Sequence, residues 1–225
     1  INSDNGKVTL SDEMQLKDTR LNAVSNAIMT CKCTRLTDFC AEVFQNSKLL
    51  CETSDISGMI RATMKSRVEL RSIRMSADAK VIVDRHANFI VLNSLFEKKF
   101  LLCVADKSIC MLKHVVFGKK TSIHVEKNSS VSFTTLFLYE NSRINCKDHS
   151  LLDFSECKFG GGYDVLSGSG SKVQIKKLTT YGNGQISCEY TCFIKIDVNC
   201  HFHKDFYMRA NHESSITIGK NCGIS

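Results

Sequence analysis

Asn211-His212-Glu213 sets an imidazole beside a carboxylate. Histidine titrates near neutral pH, so His212 is the candidate general base, with Glu213 to orient it. The same tripeptide also makes an ordinary exposed turn. Lys204, Arg209 and Lys220 bring cations to the same stretch, for an anionic ligand or simply for water. Cys200, His201, His203 and Cys222 are zinc-ligand types. Residues i and i+1 of a strand point to opposite faces, however, so Cys200 and His201 do not readily share a metal. Two cysteines stacked in a core account for Cys200 and Cys222 without one. Cys31, Cys33 and Cys40 lack a second pair at zinc-finger spacing, and no metal is expected. Gly160-Gly161-Gly162 and Ser167-Gly168-Ser169-Gly170-Ser171 match neither GxxxxGK[ST] nor GxGxxG before a helix, and read as turns. Asp148 and Asp153 could imitate a glycosidase pair, but the carboxylate separation that decides this is not written in sequence.

Two kinds of pattern must position these residues. Residues 1–70 predict a partly helical region or cap. Leu16, Leu21, Val24 and Ile28 keep roughly helical spacing. Thr37 and Asp38 could cap a run with Phe39, Cys40, Val43, Phe44 and Leu50, and Asp55 another with Ile56, Met59, Ile60 and Met64. Residues 71–225 change period. Val81/Val83, Ile123/Val125, Val131/Phe133, Val173/Ile175, Ile194/Ile196/Val198 and Ile216/Ile218 alternate with polar residues, as short strands do. No helical runs of the length a βαβ crossover needs lie between them.

A seven-residue pattern recurs: apolar, two of any type, Asn, Ser or Cys, any, apolar. It runs Val125 to Val131 around Asn128-Ser129, and Leu138 to Ile144 around Asn141-Ser142. It returns from Ile196 to Phe202 around Asn199-Cys200, and from Ile218 to Ile224 around Asn221-Cys222. Looser copies start at Val83 and Phe117. Such a pattern describes a solenoid corner. Asn takes the left-handed backbone conformation that β-branched residues avoid. The small residue after it turns inward where space is short. The fold class expected is mainly β, a single-stranded parallel β-helix with irregular coils, with an irregular antiparallel sandwich or barrel as the alternative.

From about Gln185 to Ser225 the chain resembles the hexapeptide-repeat acyltransferases, in the branch that acetylates capsular and other surface polysaccharides. Ile216-Thr-Ile-Gly-Lys-Asn-Cys222 carries the likeness, with Ile194-Lys-Ile-Asp-Val-Asn-Cys200 as the preceding coil. The resemblance implies a left-handed β-helix, a homotrimer, and acetyl-CoA bound between subunits, with no metal. It implies transfer of acetyl to a hydroxyl of a glycan or sugar precursor, with a histidine as general base. Lys204, Arg209 and Lys220 would then meet the CoA phosphates or an anionic glycan. In that branch the base follows the last Asn-Cys motif by one coil, beyond Ser225, so the chain reads as an inactive fragment of the enzyme. Two other readings use the same repeats: a non-catalytic β-helix that binds glycan or serves as a spacer, and a right-handed β-helix polysaccharide lyase or hydrolase.

Composition narrows the field. In 225 residues there is no proline and no tryptophan, which disfavours proline-rich linkers and suits a fold whose backbone N–H groups all serve ladders. Apolar content of 43% and charged content of 24% argue against disorder. Thirty Lys and Arg residues are scattered with no run above two, so no nucleic-acid stripe forms. No apolar window is long enough for a transmembrane segment. With no export signal and no paired spacing among twelve cysteines, reduced thiols and a cytoplasmic location are expected.

Overall fold

The computed structural model describes residues 1–11, 14–32 and 35–224. It is a parallel β-solenoid of about ten turns. Among the described residues 26 strands pair in one continuous sheet. The central coils repeat every 21 residues, the spacing at which Ala87, Ser108 and Ser129 each bond to the coil above. Early coils shorten to 19 or 20 residues and the last lengthen to 22.

One coil shows why the chain turns where it does. Lys127 and Asn128 are both left-handed, with φ of 57° and 60°, and make the first corner. Ser130–Leu138 then forms one strand, broken into a first and a second side by left-handed Thr135 at φ 56°. Asn141 at φ 57° makes the third corner, and Arg143–Cys146 the third side. Along each side alternate residues face inward, so Val131, Phe133, Leu136, Leu138, Ile144 and Cys146 enter the core. Parallel pairing then stacks like on like: Leu102 on Ile123 on Ile144 on Val165.

The corner pattern is therefore real, and its irregular spacing has a cause. Asn128, Asn141, Asn199 and Asn221 are all left-handed, with φ between 55° and 60°. They belong to different corners: Asn128 to the first, Asn141 to the third, and Asn199 and Asn221 to the second. The small inward residues are buried (Ala87, Thr121, Ser129, Ser142, Cys200). They also serve the backbone. The N–H of Ala87 donates to Ser108 Oγ, that of Ser108 to Ser129 Oγ, and that of Ser129 to Ser150 Oγ, each at 3.2 Å. Buried corner amides thus find acceptors one coil away.

The partly helical N-terminal region is not there. The described parts of residues 1–70 are strands joined by tight corners, and no helix occurs among the described residues. The spacing that suggested helices comes from strand alternation carried across corners. Ile56 and Ile60 are four apart and both fully buried, but each sits in a strand and Gly58 bends between them at φ 116°. Asp38 is a left-handed corner residue at φ 50°, not a helix cap, and its N–H donates to Ser57 Oγ at 2.9 Å. The pairing passes residue 70 unbroken: Lys48–Glu52 pairs with Arg67–Arg71, which pairs with Asn88–Phe96. Cys33 lies outside the described residues.

Aromatic rings fill the axis. Phe96, Phe117, Phe133, Phe154, Phe159 and Tyr163 follow one another with centroids 4.9 to 6.4 Å apart. Most cysteines are apolar filler. Burial pushes the thiols of Cys146 and Cys157 up to about 12, away from reactivity. Nine described cysteines are free, and Cys188 and Cys192 face each other across a first corner with Cα atoms 5.8 Å apart.

Candidate functional site on the second side

Because coils stack in register, each outward position becomes a column along the axis. On the second side one column reads Gln15, Arg35, Asp55, Arg74, Leu95, Val116, Phe137, Lys158, Thr179, His201. Beside it, two residues further along each coil, run Ser57, Ser76, Glu97, Gly118, Tyr139, Gly160, Tyr181 and His203.

The N-terminal half of this side is concave. A depression of about 810 Å³ lies over Thr53, Ser72, Asn93 and His114 at the second corner, between Arg35 and Val116. A second, of about 250 Å³, adjoins it around Arg35, Asp55, Arg74 and Glu97. Short side chains (Ser54, Ser72, Ser94) leave the space, and the arginines wall it. Arg74 donates through Nε to Glu97 at 2.8 Å and also through a terminal nitrogen. That bond, rather than its surroundings, holds the Glu97 carboxyl below the usual carboxylate range. The Ala77 N–H bonds the other oxygen at 3.2 Å, so the carboxylate is fixed along one wall.

Further along, the same side turns apolar and aromatic. Leu95 is exposed, and the rings of Phe137 and Tyr139 lie 4.8 Å apart. In the outer column glycine and tyrosine alternate, Gly118, Tyr139, Gly160 and Tyr181, one per coil. Tyr139 and Tyr181 are 42% and 57% exposed. With coils about 4.8 Å apart, the two rings stand about 9.6 Å apart along the axis, with a bare glycine between. The glycine at 118 is required by packing, since a Cβ there would meet the Glu97 and Lys98 backbone at 2.7 Å.

The residues singled out from sequence do not converge. His212 sits at the first corner, left-handed at φ 51°, its ring stacked on Tyr190 at 4.8 Å. Arg209 lies on the third side and donates to Asn211 Oδ1 at 3.0 Å. Lys204 stands at the third corner, and Lys220 at the second, where its carbonyl accepts the Asn199 N–H at 3.3 Å. Cys200 points into the core and His201 outward, as strand alternation requires. Cys200 neighbours Cys222, and burial first of all pushes its thiol up to about 11. Among the described residues no group of three or more His, Cys, Asp or Glu is placed to hold a metal. Asp148 is a first-corner residue and Asp153 lies on the first side. Gly162 and Gly170 are left-handed turn residues, as read from the sequence.

Arg35, Asp55, Arg74, Glu97, His114, Tyr139 and Tyr181 carry no local motif. They lie on different coils, so the usable signal was recurrence at the coil period, as in Gly118, Tyr139, Gly160 and Tyr181.

No family model, no curated protein and no solved structure matches the chain. No helix among the described residues is long and apolar enough to cross a membrane.

Proposed function

We propose that the protein is a non-catalytic β-solenoid whose second side binds an extended, largely uncharged glycan along the coil axis. The observation that carries this reading is that the 810 Å³ depression, the smaller one adjoining it and the exposed aromatic column occupy one continuous side. An aromatic ring offers a flat apolar face with a polar tip, which suits the apolar face of a sugar ring and its hydroxyls. The charges on this side come in both signs, Arg35 and Arg74 against Asp55 and Glu97, so the strip does not select a polyanion. A nucleic acid would need an unbalanced cationic stripe. A peptide adding a strand would need a free sheet edge, and along this side every inner coil is already paired above and below.

Acetyl transfer has less support. Its candidate base and cations, His212, Lys204, Arg209 and Lys220, stand on four separate parts of the coil. Three hexapeptides would also close a coil in 18 residues, against the 21 of the central coils.

The test is retention on arrays of neutral polysaccharides. Tyr139→Ala and Tyr181→Ala remove exposed rings, so folding should be kept while binding falls at least tenfold. Tyr207→Ala, equally exposed on the third side, should bind like the parent. If no neutral glycan is retained, or if Tyr207→Ala weakens binding as much as the other two, the reading is wrong.

A further inference from the structure

The third side carries a depression of its own, about 380 Å³, with Leu166 and Gly168 on its floor and Lys147, Glu189 and Tyr190 around it. That volume is at the low end for a small-molecule site, about 300–1,000 Å³. Three observations set it apart. First, Lys147, Gly168 and Glu189 occupy one outward column on successive coils, with Gly168 stacked on Glu189. Secondly, cations and carboxylates on neighbouring coils elsewhere pair with each other. Arg20 meets Glu42 at 2.7 Å, Lys119 meets Glu140 at 2.9 Å and Lys177 meets Glu156 at 2.8 Å. Among the described residues neither Lys147 nor Glu189 makes an ion pair, and Lys147 leaves Glu126, its neighbour one coil earlier, beyond ion-pair distance. The other cation of the rim, Arg143, is already held by Asp164 at 3.2 Å. Thirdly, the backbone does not demand glycine at 168. Its φ is not left-handed, and a Cβ there would meet only the Glu189 carbonyl oxygen, at an ordinary 3.4 Å. The missing side chain opens the floor and holds the two free charges two coils apart.

We propose that this depression binds a small zwitterion of amino-acid size, its carboxylate on Lys147, its ammonium on Glu189 and its apolar side chain over Leu166 against Tyr190. The dimensions are compatible. The backbones of Lys147 and Glu189 are about 9.6 Å apart along the axis at one coil per 4.8 Å, and both side chains are long and rotatable, so their charged ends can adjust to a bridging ligand. A zwitterion with charges about 3 Å apart, with a charge-assisted hydrogen bond of about 2.8 Å at each end, spans about 9 Å. The Tyr190 wall is 57% exposed and is backed by the stacked ring of His212. The site lies on a different side from the proposed glycan strip and does not depend on it.

The experiment is an NMR titration of the whole chain with L-phenylalanine, N-acetyl-L-phenylalanine and L-phenylalaninamide. L-Phenylalanine should shift the amides of Leu166, Gly168, Ser187 and Tyr190 saturably. The acetylated probe lacks the cation and the amide lacks the anion, and each should bind at least tenfold more weakly. Gly168→Leu should abolish binding with the melting temperature unchanged. Should that variant fold poorly, Lys147→Met changes an exposed residue only. In it, L-phenylalanine and L-phenylalaninamide should bind equally. Absence of saturable shifts with L-phenylalanine, or equal affinity of the parent for all three probes, overturns the proposal.

Discussion

Gly184 tests how tightly the coils lock. It stacks on Tyr163 in the column behind the third corner. Its backbone is not left-handed, so conformation does not explain the glycine. The ring does: a Cβ at 184 would overlap Tyr163, with Cδ1 at 2.5 Å. Tyr163 is 1% exposed and wedged between Phe159 at 5.2 Å and Phe206 at 6.4 Å, so it has nowhere to go. Overpacking of this kind costs about 1–3 kcal/mol, while alanine in place of glycine returns about 0.4–1 kcal/mol by restricting the unfolded chain. Gly184→Ala should therefore destabilise by about 1.5 kcal/mol net. With a urea dependence of about 3 kcal/mol/M, the midpoint followed by circular dichroism should fall by about 0.5 M. In a Tyr163→Leu background the same substitution should lose its penalty. Gly223→Ala, with nothing within 4 Å of the new methyl, should be neutral or slightly stabilising. A Gly184→Ala midpoint equal to or above the parent's would refute the packing argument.

Three more outcomes follow from the corners and the third side. Thr135 is β-branched yet left-handed at φ 56°, so Thr135→Asn should raise stability by about 0.5–1 kcal/mol in urea denaturation. Ser129→Ala removes the buried acceptor of the Ser108 N–H and should lower stability by about 0.5–1.5 kcal/mol, read the same way. Burial depresses the His124 pKa below its usual 6.5, with Lys147 and Arg143 acting in the same direction and Glu126 against them. The unfolded chain then takes up the proton first, so this contribution is complete above pH 6.5 and is lost as pH falls toward the lower folded value. His124→Asn should flatten the midpoint-against-pH curve between pH 7.5 and 5; an unchanged slope would remove His124 as its source.

The corners were the most legible feature, because backbone geometry there leaves a local mark. A left-handed residue followed by a small buried one fits within seven positions, as in Asn128-Ser129 and Asn199-Cys200. The N-terminal coils were misread because Ile56 and Ile60 lie four apart on either side of a bend, a spacing shared with helices. Their corners use Met64, Lys65 and Asp38 in left-handed geometry, residues that do not announce it. There the hydrogen-bond ladder overrides intrinsic preference.

The sequence by itself pointed to a β-solenoid over residues 71–225, because inward alternation and corner chemistry are properties of a few consecutive residues; that the same coils run through residues 1–70 emerged only from the pairing of strands. The side used for recognition was decided only by the stacking of coils. Arg35, Asp55 and Arg74, or Tyr139 and Tyr181, become neighbours only when a period of about 21 residues is wound into register. Lys147 and Glu189 are separated by 42 positions in the chain and by two coils in space. A one-residue change in coil length would move either member out of its column, so no local reading of the chain could have put them together.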